Sequence, residues 1–116
     1  MTNNRLGHEG EREAARVLRR HFLNVRYHAD PRAEFDFIGI DKLTNERVAI
    51  EVKTTSATVG KLAHIETEAY LRKLSFLDRT NRRGIVLVIQ VNGHTRYGLA
   101  RLQQHISSGH LVPLVV

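Results

Sequence analysis

The sequence predicts an α/β domain with a central mixed β-sheet and helices packed against it, in the order α-β-β-β-α-β-β. Three observations predict this: an amino-terminal stretch with apolar residues at helical spacing, two apolar runs at strand periodicity that carry acidic residues, and a second helical stretch followed by an apolar strand and a hairpin turn. At 116 residues the chain forms one domain, residues 1–116. A domain of that size buries roughly two-thirds of its unfolded surface and can fold alone.

From Gly7 to Phe22, residues Gly7, Glu11, Ala14, Leu18 and Phe22 recur on one helical face. Glu11 therefore lies on the core side; the plainer reading is a wet first-turn residue, well placed near the positive helix end. Glu9 shares the charged face with Glu13, Arg16 and Arg20. Phe35 to Ile40 and Val48 to Lys53 read as buried strands, with Lys42, Thr44 and Asn45 marking the turn between them. A period of two puts Ala49, Glu51 and Lys53 on one face and Val48, Ile50 and Val52 on the other.

Thr54 to His64 is a polar loop containing Gly60 and Lys61. Glu66 to Arg83 reads as a helix with the stripe Tyr70, Leu74 and Leu77, stopped by Arg82 and Arg83 before Gly84. Ile85 to Val91 is a continuous apolar strand, Asn92-Gly93 a strong hairpin turn, and Thr95 to Ala100 the returning strand. Residues 101–116, ending in Leu111 to Val116, fit a final strand, an ordered tail or a subunit contact.

The chemistry concentrates on Asp36, Glu51 and Lys53. If the register turns Asp36 towards Glu51, two carboxylates and an ammonium converge. Buried carboxylates in close company need a cation or a proton between them. Magnesium suits them, because it takes hard oxygen ligands and is held by one or two carboxylates plus substrate phosphate. The plainer reading is a solvated Glu-Lys pair on the open face of an antiparallel strand.

Gly7-x-x-x-Glu11-Arg12-Glu13 opening a helix, then Val25-Arg26, Asp36 and Ile50-Glu51-Val52-Lys53, in that order, resembles the archaeal-type Holliday-junction resolvases of the PD-(D/E)XK nuclease superfamily. The resemblance implies a restriction-endonuclease-like fold over about residues 5 to 102. It implies a magnesium-dependent site, with manganese as a substitute, in which Glu11, Asp36 and Glu51 are catalytic metal ligands and Lys53 is catalytic. Arg26, just after the first strand in that family, and Arg12 would contact DNA, with Arg32 and Lys61 in the neighbouring loops. Two departures stand out: Phe35 replaces the proline that usually precedes the aspartate, and Tyr27 to Arg32 replaces a Ser/Gly loop, so the family's loop serine has no counterpart.

Composition points the same way. Eighteen Lys and Arg against twelve Asp and Glu give a formal charge of +6, which favours a polyanionic partner. With no cysteine and no long apolar run, the expectation is a soluble cytoplasmic protein without disulfides, membrane contact or a small-molecule cofactor. Seven histidines show no ligand spacing, and His28 alone should border the site. The expected partners are branched DNA and a second copy of the chain. For the twofold dimer, the Ile85 to Val91 strand, the outer side of the second helix and the Leu111 to Val116 tail are candidate surfaces. The alternatives are another nuclease of the superfamily, of nicking, repair or restriction type, and a non-catalytic basic nucleic-acid-binding domain.

Overall fold

The computed structural model describes residues 8–28, 33–55, 67–90, 96–102 and 114–115. Its elements are α1 (His8–Leu18), β1 (Phe22–Tyr27), β2 (Phe37–Asp41), β3 (Arg47–Thr55), α2 (Thr67–Thr80), β4 (Arg83–Gln90), β5 (Arg96–Arg101) and β6 (Leu114–Val115). They form one sheet in the order β1-β2-β3-β4-β5-β6. The β3/β4 pair is parallel and every other pair antiparallel, so the sheet is mixed, with α2 as the crossover that a parallel pair requires.

The two helices cover opposite faces. Ala14, Ala15, Val17 and Leu18 of α1 are buried with Val48, Ile50, Val52, Ile85, Leu87 and Ile89. On the other side, Leu77 of α2 is buried with Phe35, Ala49, Val86, Val88 and Leu102. The middle strands are thus covered twice, which is why β4 reads as a continuous apolar run. That burial also removes Ile85 to Ile89 from the candidate dimer surface, because the strand completes the monomer's own core. The described part of the tail, Leu114–Val115, pairs with β5.

Both helices end earlier than the sequence expectation. The first helix ends at Leu18 instead of reaching Phe22. The amides of Arg20 and His21 bond back to Val17 and Leu18 at 3.2 and 3.0 Å, a three-residue spacing that tightens the last turn, and Phe22 opens β1 as a core residue. The second helix ends at Thr80. Asn81 then adopts φ 52°, and the Arg82 amide reaches the Leu77 carbonyl at 3.0 Å, the Schellman arrangement that closes a helix. Gly84 is no helix stop. It lies in β4, where a Cβ would sit 2.7 Å from Leu77 Cδ1 and 2.9 Å from Leu102 Cβ, so glycine permits the close approach of strand and helix. In β1 the register with β2 shifts between Leu23 and Arg26 and Asn24 takes φ 53°, a local bulge.

The β2–β3 hairpin is fixed by Asp41, whose Oδ1 accepts from the Leu43 and Thr44 amides at 2.8 and 3.2 Å, with Asn45 at φ 60°. Arg83 bonds Asp41 at 2.5 Å and Glu46 at 3.2 Å, tying the start of β4 to this turn. Burial raises the Asp41 pKa, but the two amides and Arg83 outweigh it and lower the pKa on balance. Among the described residues no helix is long and apolar enough to cross a membrane.

Glu13, expected on a purely solvated face, fastens α1 to β5. It accepts from the Tyr97 hydroxyl and from Arg16 at 2.5 and 3.3 Å. The Arg16 bond, then the Tyr97 bond, lower its pKa from 4.5 to about 2. A depressed carboxylate pKa contributes stability above the unfolded value that is lost as pH falls through the folded one. Glu13→Gln is therefore expected to lower the urea midpoint at pH 6, with the gap to wild type closing between pH 4.5 and about 2; a gap constant across that window counts against the latch. Gly84→Ala is expected to cost about 1–3 kcal/mol by overpacking, read as a lower midpoint at unchanged denaturant slope.

Candidate active site

The site grows from the point where the β2/β3 ladder stops. Phe37 pairs with Ile50, and one step further Asp36 lies opposite Glu51, so the two carboxylates share a face. Asp36 is held by both neighbours. Its amide donates to Ile50 O at 3.0 Å and its carbonyl accepts from the His28 amide at 2.7 Å. Its Oδ2 accepts from the Val52 amide at 2.8 Å, so a side chain takes the place of the next strand carbonyl. Asp36 is 2% exposed and Glu51 6%. A carboxylate has about four lone-pair sites, and the Val52 bond leaves Asp36 with capacity to ligate.

Glu51 and Lys53 lie on the α2 side of β3 with Ala49, as the alternation requires. Lys53 Nζ is 3.5 Å from Glu51 Oε2. A second lysine, absent from the sequence expectation, completes the group. Lys73 of α2 is 5% exposed, with Nζ 3.2 Å from Glu51 Oε1. It also donates to the Glu34 carbonyl and lies 4.9 Å from the Phe35 ring centroid. A signal was available: Lys73 follows Tyr70 by three residues and precedes Leu77 by four, on the apolar stripe itself. A charge in such a stripe demands an explanation, the same logic that singled out Glu11.

The structure does not bring Glu11 to Asp36 and Glu51. It is half-buried on α1, which covers the Val48, Ile50 and Val52 side of β3, whereas Glu51 points to the other side. Among the described residues no three carboxylate or imidazole groups gather closely enough to hold a metal ion, so the expected three-ligand set reduces here to Asp36 and Glu51. Arg12 and Arg26 are both exposed. Arg26 lies within β1 opposite Ile38, not after the strand. His28 is half-buried beside Asp36, contributing its amide. Arg32 and Lys61 lie outside the described residues, as do most of the polar loop and the Asn92-Gly93 turn.

Two carboxylates suit magnesium, which needs no more from the protein when phosphate and water complete its shell. The two ammonium groups already balance the two carboxylates. The donor set therefore fits the ion best together with a phosphodiester, whose negative charge the extra cation then offsets.

Among solved structures, the chain is similar to a Holliday-junction resolvase from the archaeal hyperthermophile Archaeoglobus fulgidus, with a TM-score of 0.59, 13% identity, and coverage of 80% of this chain and 75% of that one. The chain thus has the restriction-endonuclease-like fold of that enzyme. No family model matches the sequence, and no curated protein does.

Lys73→Met is expected to destabilise the protein by about 3–5 kcal/mol, because it leaves the Glu51 charge buried without its closest cation. Adding Glu51→Gln should recover part of that loss. Strictly additive effects in this double-mutant cycle, measured by urea denaturation, would show that the pair is not coupled.

Proposed function

We propose that this chain is an archaeal-type resolvase of the PD-(D/E)XK superfamily, a metal-dependent endonuclease that cuts four-way DNA junctions. The observation that carries the proposal is the Asp36, Glu51 and Lys53 group at the end of the β2/β3 ladder. The fold, shared with a protein that is itself a Holliday-junction resolvase, supports it, and so does a formal charge of +6.

In this reading Asp36 and Glu51 hold magnesium, or manganese in its place. When bound, such an ion polarises a phosphodiester and makes coordinated water more acidic. Lys53, with its side chain one-third exposed, donates to a phosphate oxygen and stabilises the charge that grows there in the transition state. Lys73 fixes the rotamer of Glu51, and the Val52 amide fixes that of Asp36, so the ligands are oriented before substrate arrives. Arg12, Arg26, Arg32 and Lys61 supply phosphate contacts.

The working form is a twofold homodimer. A four-way junction is usefully resolved only when two opposed strands are cut, and one domain of this size carries one site. Closed twofold dimers are the commonest soluble assembly. Leu71, 57% exposed on the outer side of α2, favours that surface as part of the contact.

Glu51→Gln and Asp36→Asn are expected to reduce junction cleavage in magnesium to below about a tenth of wild type, while binding measured in calcium persists, because most affinity comes from basic contacts elsewhere. Cleavage unaffected by chelator, or retained in both variants, would overturn the proposal. In the same assay Glu11→Gln and Glu9→Gln should both leave cutting close to wild type, because Glu11 does not join Asp36 and Glu51; a severe loss confined to Glu11→Gln would return it to the catalytic set. Light scattering, with a cruciform plasmid to report paired or single incisions, tests the dimer.

A further inference from the structure

On the same side of the sheet as Glu51, but beyond the cover of α2, lies a hollow of about 230 Å³ lined by Asn24, Arg26, Ile38, Gly39, Ile40, Arg47 and Arg82. The core cluster under α2 includes no residue of β1 or β2, so among the described residues this part of the sheet is open. Its three arginines have no carboxylate partner among the described residues. Among the described residues the Arg82 side chain bonds only the Val48 carbonyl, at 3.1 Å. Burial, and then the nearby Arg47 charge, lower its pKa, although a guanidinium remains charged under all working conditions. In the adjoining hollow of about 440 Å³, which shares Arg47 and Arg82, Glu46 is engaged by Arg83 at 3.2 Å. Arg83 also holds Asp41, so the local acids are taken by a fourth arginine and the other three stay unbalanced.

Three like charges drawn together cost free energy that an anion would recover, and the planar guanidinium matches phosphate oxygens in particular. We propose that Arg26, Arg47 and Arg82 form a phosphate-binding pocket that takes a backbone phosphate of the DNA substrate away from the cut. The inference rests on the nuclease reading above and deepens it. Arg47 and Glu51 are four residues apart on β3 and point to the same side, a separation of about 13 Å at strand rise. Duplex DNA rises 3.4 Å per nucleotide along its axis and each strand also winds around that axis, so the held phosphate lies fewer than about four nucleotides from the scissile one. Arg47 and Arg82 then act as a clamp that sets how far the strand advances towards Asp36 and Glu51.

The test uses the full chain with Arg47→Gln, Arg47→Gln/Arg82→Gln and, as a control in the turn after α1, Arg20→Gln. Arg47 is exposed and makes no side-chain bond among the described residues, so the single variant keeps the fold. Junction affinity is measured in calcium across a salt series, and inorganic phosphate is titrated while the arginine Nε–H signals are followed by NMR. Removing a phosphate contact should reduce the slope of log affinity against log salt by about 0.9 in both pocket variants and leave the control unchanged. Phosphate should shift the Arg47 and Arg82 signals. A wild-type slope in both variants, with junction binding intact, overturns the pocket and leaves the nuclease reading standing. Phosphate-dependent shifts in a protein that binds no junction keep the anion site but overturn DNA as its ligand, along with the nuclease reading.

Discussion

A carboxylate taken out of water must be compensated, and the architecture around Glu51 follows from that requirement. Desolvating such an ion costs several kcal/mol even after relaxation, and Glu51 is 6% exposed. Its two oxygens face two ammonium groups, Lys73 at 3.2 Å and Lys53 at 3.5 Å. One lysine comes from the same strand, so its placement follows from alternation alone. The other must be delivered by α2, across the polar loop, and this fixes how that helix sits. The contact of Lys73 with the Glu34 carbonyl and the Phe35 ring extends the constraint to the segment entering β2, which the Arg72–Glu34 pair at 3.6 Å also ties to α2. Helix, strand and entering segment are thus held by one buried charge.

Asp36 solves a related problem differently. Strands that stop pairing leave amides without partners, and a buried amide without an acceptor is costly. Asp36 meets the Val52 amide with its own carboxylate, so β2 and β3 separate without that penalty. The same residue is therefore both the acceptor that ends the ladder and the acid that faces Glu51. Structure and candidate chemistry draw on the same atoms here, which makes the geometry rigid.

Much of this was legible in the sequence, and the reasons differ by residue. The shared face of Glu51 and Lys53 is legible because a period of two in an apolar run allows little choice. Asp36 needs a register, which the turn signals at Lys42, Thr44 and Asn45 leave open and the β2/β3 pairing supplies. Lys73 is hard to see because the stripe of Tyr70, Leu74 and Leu77 stands out by its apolar members alone. Gly84 looks like a helix stop because glycine after two arginines is a good one; its packing against Leu77 and Leu102 is a long-range fact with no local signature. Phe22 fits a helical stripe and a core strand equally well, and only the helix end at Leu18 separates the two. The position of Glu11 turns on which face of the sheet α1 covers, and no pattern along the chain encodes that choice.

Strand β1 is the edge of the sheet among the described residues, and Asn24 lies near its middle with left-handed backbone. A regular edge offers a continuous row of amides and carbonyls to any passing strand, which is how folded proteins recruit one another into aggregates. Here the row is broken between Leu23 and Arg26, and the residue after the break carries a positive charge. Leu23, 49% exposed, would otherwise be a natural nucleus for such pairing. The kink thus interrupts the template on which the strand of another copy would otherwise pair.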